Sequence, residues 1–199
     1  MVVFSDGSCL RSNGHCYTRA RYLIIRYDIE VWSVCMALSK KAEVFDTEMY
    51  ALAGAASLVW TLIASDPNSC PPSIIFCNNN RAAASLIINL SDHSAQLASI
   101  IFQCHIDSLL SQYPTLCVEV IWVPAHCRIQ GNKRADALAC KAIVQHPHPL
   151  FHHTITWAHV VAKSKVIKEW NQTLFNSRHL DLVIQAIVRP PSSKLVPAH

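Results

Sequence analysis

Three acids, a histidine and a run of asparagines are spaced along this chain in a way that suits chemistry on a phosphate. Asp6 follows an apolar, β-prone start, Met1 to Phe4, and precedes Gly7 and Ser8. Glu48 stands at the head of a long apolar stretch with helical spacing, and Asn78-Asn79-Asn80 closes a short apolar run. His126 sits in a polar loop, and Asp136 follows that loop where a helix begins. Hard cations such as Mg²⁺ take carboxylate oxygens, and an imidazole titrating near neutral pH moves protons. An asparagine offers an amide oxygen but brings no charge. Plainer readings stand beside these. Asp-Gly-Ser by itself is usually a turn, and an acid in a first helical turn is favoured by the helix dipole alone.

The elements that must position these groups follow from pattern. Val118, Val120, Ile121, Trp122 and Val123 have the β-branched and aromatic bias of a buried strand, and Pro124, lacking an N–H, stops it. The loop with His126 and Gly131 leads to Asn132, a residue type suited to cap a helix. Ala135, Leu138, Ala139 and Ala142 then recur at helical spacing, with Asp136 in the first or second turn. Upstream, the first strand is expected to end at Asp6, with a Gly7 turn that lets backbone approach a ligand closely. Tyr22 to Tyr27 and Ile29 to Met36 read as strands joined by a turn near Asp28.

Glu43 to Ala64 reads as an amphipathic helix capped by Asp46 or Thr47, with Glu48 in its first turn. Its buried stripe is Leu52, Ala55, Ala56, Val59 and Ile63. Ser73 to Cys77 reads as a short buried strand. Ile87 to Tyr113 reads as mostly helical, capped by Asp92 or Ser94, with Leu97, Ile100, Ile101, His105, Leu109 and Leu110 on or near one face. His105, beside Cys104, reads as packed or half exposed rather than ligating.

Composition sets the outer bounds. The chain has 199 residues, 51% hydrophobic and 15% charged, which suits one ordinary domain with an extension and excludes disorder by composition. A net charge of +4 and a pI near 8.6 suit a phosphate-bearing partner without singling one out. Nine cysteines without C-x-x-C or zinc spacing read as reduced, mostly buried thiols of an intracellular protein. No signal-peptide pattern is visible. The uncharged apolar run Ala51 to Ala64 falls short of the roughly 20 residues that span a bilayer, so no membrane partner is expected. Gln145 to His153 is a Pro/His-rich linker. Thr156 to Trp170 reads as a helix with Lys163, Lys165 and Lys168 on a solvated face, and the end reads as flexible. The division expected is a domain over residues 1–144, a linker over 145–155 and a helical extension over 156–199. A start two residues ahead of a core strand suggests a piece of a longer polyprotein.

The block WVPAHCRIQGNKRAD resembles the last catalytic block of type 1 ribonuclease H, WVPGHxGIxGNExAD, as carried by LINE-like retrotransposons of fungi. Trp122, Pro124, His126, Ile129, Gly131, Asn132, Ala135 and Asp136 match. Ala125, Arg128 and Lys133 depart from it. VFDTEMYAL around Glu48 is similar to the family's helix entrance. Where the family reads Asp-Asn-x-Ala-Ala, this chain has asparagines before Ala82-Ala83, which puts Asn79, or with one inserted residue Asn78, at a metal-binding aspartate. The family's glycine-bearing hairpin is also missing: of four glycines, none lies between Gly14 and Gly54.

The resemblance implies an α/β, ribonuclease H-like fold: a mixed five-stranded sheet, first three strands antiparallel, with helices on both sides. It implies hydrolysis of the RNA strand of RNA–DNA hybrids with two Mg²⁺ ions, for which Mn²⁺ substitutes, in a monomer. Asp6 would bridge both ions. Glu48 and Asn79 would hold the leaving-group-side ion, Asp136 the water-activating ion, and His126 would assist proton movement or product release. Recognition of the hybrid would rest on backbone shape and 2′-hydroxyls. The neutral Asn79 points to weakened hydrolysis, or to a decayed domain that only binds nucleic acid. The Pro-Ala-His loop argues against integrase-like or exonuclease-like relatives. An unrelated α/β binding protein would leave the ordered acids unexplained.

Overall fold

Five strands form one sheet in the order β3-β2-β1-β4-β5. The computed structural model describes residues 1–12, 15–38, 42–124 and 155–176. β1 is Val2–Ser12, β2 His15–Arg26 and β3 Ile29–Ala37; they pair as an antiparallel meander. β4 (Ser73–Asn78) and β5 (Cys117–Trp122) then add in parallel. Parallel neighbours need a crossover, and helices supply both. α1 (Val44–Ser65) lies between β3 and β4, and α2 (Arg81–Leu86) with α3 (Gln96–Gln112) lies between β4 and β5.

The β2–β3 turn falls at Tyr27-Asp28, as the pattern predicts. Both residues have positive φ, 50° and 61°, the geometry whose twist suits a two-residue hairpin. Asn-Gly is the usual occupant; here Arg26 covers the Tyr27 ring at 5.3 Å.

α1 packs across the sheet through its expected stripe: Leu52, Ala55, Ala56, Val59 and Ile63 are all buried. They meet Val3, Ile24, Ile74 and Phe76 of the sheet, and Phe102, Ile106 and Leu109 of α3. Phe76 and Phe102 meet edge to face at 5.1 Å. By length and composition α1 would cross a bilayer, yet 56% of its apolar window is buried inside the fold, as in a core helix. The opposite sheet face gathers Phe4, Leu23, Cys77 and Val123.

Several expectations need correction. β1 does not end at Asp6; it continues through Gly7 and Ser8, because β2 runs alongside it throughout and supplies pairing partners. α1 is capped by Glu43, not Asp46 or Thr47, with the Glu43 N–H donating to the Asp46 carboxylate at 2.9 Å. Glu48 therefore falls in the second turn rather than the first. α3 starts after Ala95, in left-handed geometry, rather than after Asp92 or Ser94. Its buried face is Ala98, Ser99, Phe102, Ile106 and Leu109, while Leu97, Ile100 and Leu110 are exposed. β5 is only half buried: Ile121 and Trp122 are exposed. Among the described residues the thiols are neither all reduced nor mostly buried. Cys9 is disulfide-bonded, and Cys104 and Cys117 are exposed. His105 is partly buried and stacks on Trp60 at 5.7 Å.

The chain divides into two compact units, Met1–Thr156 and Trp157–His199. The helix across that boundary, α4 (Ile155–Asn176), outlasts the expected Thr156 to Trp170. Its Lys163, Lys165 and Lys168 are exposed, and Lys165 pairs with Glu169 one turn on.

Candidate functional site

The site forms where β4 stops against the middle of β1. Parallel pairing sets Ser5 level with Asn78, so one step further brings Asp6 beside Asn79. The carboxyl end of parallel strands is where α/β sheets place their ligands. Alternation along β1 turns Ser5 and Gly7 toward α1, and Phe4 and Asp6 to the other face.

Gly7 is required here. A Cβ at this position would lie within contact of the Thr47 hydroxyl and 2.5 Å from the Glu48 backbone nitrogen. The close approach that glycine permits is thus to α1 rather than to a ligand, and it draws Glu48 onto the strand. The Gly7 N–H donates to the Glu48 carboxylate.

Glu48 is 4% exposed. Its Oε2 accepts from Asn78 Nδ2 at 3.0 Å. Burial, and next the charge of Asp6, raise its pKa from 4.5 to about 8. The Asn78 amide, the Gly7 N–H and Arg21 oppose that rise. At neutral pH this side chain is mostly the protonated acid.

Asn78 is fully buried and fully engaged. Its Nδ2 also donates to the Ser5 carbonyl and hydroxyl, at 3.3 and 3.1 Å, and its Oδ1 accepts from the Asn80 N–H at 2.8 Å. That last bond fixes which way the amide points. Asn79 belongs to the other face: its Nδ2 donates to Asp6 Oδ1 at 3.1 Å. Its carbonyl accepts from the indole N–H of Trp122 at 3.0 Å, and that ring is 49% exposed. Asn80 caps α2 by accepting from Ala83 N–H at 3.1 Å.

The residue that pattern reading missed is Arg21. It stands directly opposite Asp6 on β2 and bonds Asp6 Oδ2 at 2.5 Å, the two side chains being 4% and 7% exposed. No signal in the sequence named it, because only the strand register makes it a neighbour of Asp6. The structure thus brings Asp6, Glu48, Asn78 and Asn79 together. His126 and Asp136 lie outside the described residues, as do the Asn132 cap and the Gln145 to His153 linker.

The resemblance implies two divalent ions at this donor set. Such ions need carboxylate oxygens with open lone pairs. Asp6 Oδ1, Asp6 Oδ2 and Glu48 Oε2 each already accept an N–H, so a cation would have to share these oxygens with those donors. Asp6, Glu48 and the guanidinium together leave at most one negative charge for two dications. Among the described residues no group of three or more His, Cys, Asp or Glu gathers to hold a metal. These residues do not fit the ion pair.

The class defined by this topology, three antiparallel strands continued by two parallel ones with α1 packed across them, is the ribonuclease H-like fold. Among solved structures the chain is similar to LC11-RNase H1, isolated from compost, in complex with an RNA/DNA hybrid: 13% identity over 69% of this chain and 91% of that one, TM-score 0.49. It is also similar to RNase H1 from the halophilic archaeon Halobacterium salinarum NRC-1, at 16% identity over 69% and 92%, TM-score 0.45. No protein-family model and no curated protein matches the sequence.

Proposed function

We propose that this chain is a ribonuclease H-type domain that binds RNA–DNA hybrids and hydrolyses them poorly or not at all. One observation carries the reading. The Arg21 guanidinium sits on Asp6, and an amide N–H meets each acid, Asn79 on Asp6 and Asn78 on Glu48. Asp6, Glu48 and Arg21 together thus leave at most one negative charge where hydrolysis needs two dications. The hybrid is the expected ligand because the WVPAHCRIQGNKRAD block and the Asp6, Glu48, Asn79 order resemble the type 1 family. Trp122 adds an exposed ring beside Asn79 at the carboxyl end of β4, a surface on which a sugar or base can rest. Hybrid geometry, rather than base sequence, is the feature such a domain reads. The retrotransposon setting belongs to the same reading and rests on the sequence resemblance.

A second reading, weak metal-assisted hydrolysis, is favoured by the convergence of Asp6 and Glu48 beside the end of β4, at the middle of β1. Fluorescence anisotropy with labelled RNA–DNA hybrid, duplex DNA and duplex RNA of one length tests the proposal. Preference for the hybrid, equal in Mg²⁺ and in EDTA, is expected. Equal binding of all three, or none, overturns it.

A further inference from the structure

We propose that Arg21 is the resident cation of this site: its guanidinium neutralises Asp6 as a divalent ion would, and bars such an ion while it stays. The inference deepens the reading above and rests on it for the identity of the site. The geometry is specific. Arg21 and Asp6 are cross-strand partners on adjacent antiparallel strands, so both side chains emerge from the same sheet face at the same level. β2 is an inner strand, flanked by β1 and β3. The pair is buried, so water and salt do not screen it. The other Asp6 oxygen is held by Asn79, so the carboxylate has a cation on one side and an amide donor on the other. A divalent ion at Asp6 must compete with the guanidinium for the carboxylate and sit beside its buried positive charge.

It follows that Arg21, more than Asn79, closes the site to metal. An aspartate at position 79 would add an acid, but the guanidinium would remain to neutralise one. Opening the site takes removal of the guanidinium as well as restoration of the acid.

Two measurements test this, and neither reads catalysis. The first is thermal unfolding of Asp6→Asn in EDTA. In a cluster of acids awaiting metal, neutralising one relieves repulsion and raises Tm. Here it removes the carboxylate to which a buried guanidinium donates, so Tm should fall by roughly 10 °C, and Asp6→Asn with Arg21→Met should regain most of the loss. A rise in Tm for Asp6→Asn overturns the proposal. The second is calorimetric titration with Mn²⁺ of the natural chain, Asn79→Asp, and Asn79→Asp with Arg21→Ser. The double variant should bind about a hundredfold or more tightly than Asn79→Asp. Equal affinity in the two, or no binding by a folded double variant, overturns it. If Arg21→Ser does not fold, the sign of the Asp6→Asn shift decides alone. Failure to prefer the hybrid in the anisotropy experiment would sink the functional reading while leaving this sign intact, so the two failures are distinguishable.

Discussion

Glu48→Gln should make the stability of this domain insensitive to pH over a range where the natural chain loses several kcal/mol. The natural carboxyl is buried with a pKa raised from 4.5 to about 8, by burial first and by Asp6 second. Between those values the folded state keeps a proton that the unfolded chain has released. The stabilisation is therefore complete below pH 4.5, declines as pH rises, and is gone once pH passes 8. At about 1.36 kcal/mol per pH unit, the gap corresponds to roughly 5 kcal/mol. Glutamine has the shape of the protonated acid, and its carbonyl can keep the Asn78 donor seen at 3.0 Å. Urea unfolding of both proteins at pH 5, 6, 7, 8 and 9 measures the difference. Cysteines and tyrosines ionise in both proteins and cancel. The two should match near pH 5, and the variant should lead by several kcal/mol at pH 9. A difference that stays constant from pH 5 to 9 would refute the reasoning that Glu48 is protonated in the fold.

Three further substitutions probe how the site is held. Gly7→Ala drives a methyl into the Glu48 backbone and the Thr47 hydroxyl, and should cost about 3 kcal/mol in chemical denaturation. Asn78→Asp replaces a donor to Glu48 and Ser5 with an acceptor in a fully buried place, and should cost about 3 kcal/mol or more by the same measurement. Asp28→Gly relieves a positive φ of 61° in the hairpin turn, and should raise stability by about 0.5–1 kcal/mol in a thermal melt.

The sheet and its helices were legible because hydrophobic spacing is a local signal. The stripe on α1 names its buried face without help, and the β-rich runs on either side of Asp28 set the hairpin. Most of the misreadings share a cause, the dependence of an element on a partner distant in sequence; the Glu43 cap is instead a local geometry. Asp6-Gly7-Ser8 looks like a turn until β2 is laid beside it, and Gly7 is then explained by α1. Glu43 caps α1 because its N–H finds Asp46, a geometry that residue type alone does not specify. Trp122 has the chemistry of a buried strand residue but lies on the sheet's outer strand. Arg21 was invisible for the same reason: fifteen residues separate it from Asp6, and only the strand register makes them neighbours.

The most direct measurement is incubation of end-labelled RNA–DNA hybrid with the natural chain in Mg²⁺, and then in Mn²⁺, at protein concentrations that saturate the hybrid by anisotropy. With both acids held by amides, and a guanidinium on Asp6 as well, the hybrid should be bound and remain uncut. Accumulation of cleaved RNA over multiple turnovers, lost in Asp6→Asn, would contradict that and make this chain a working nuclease.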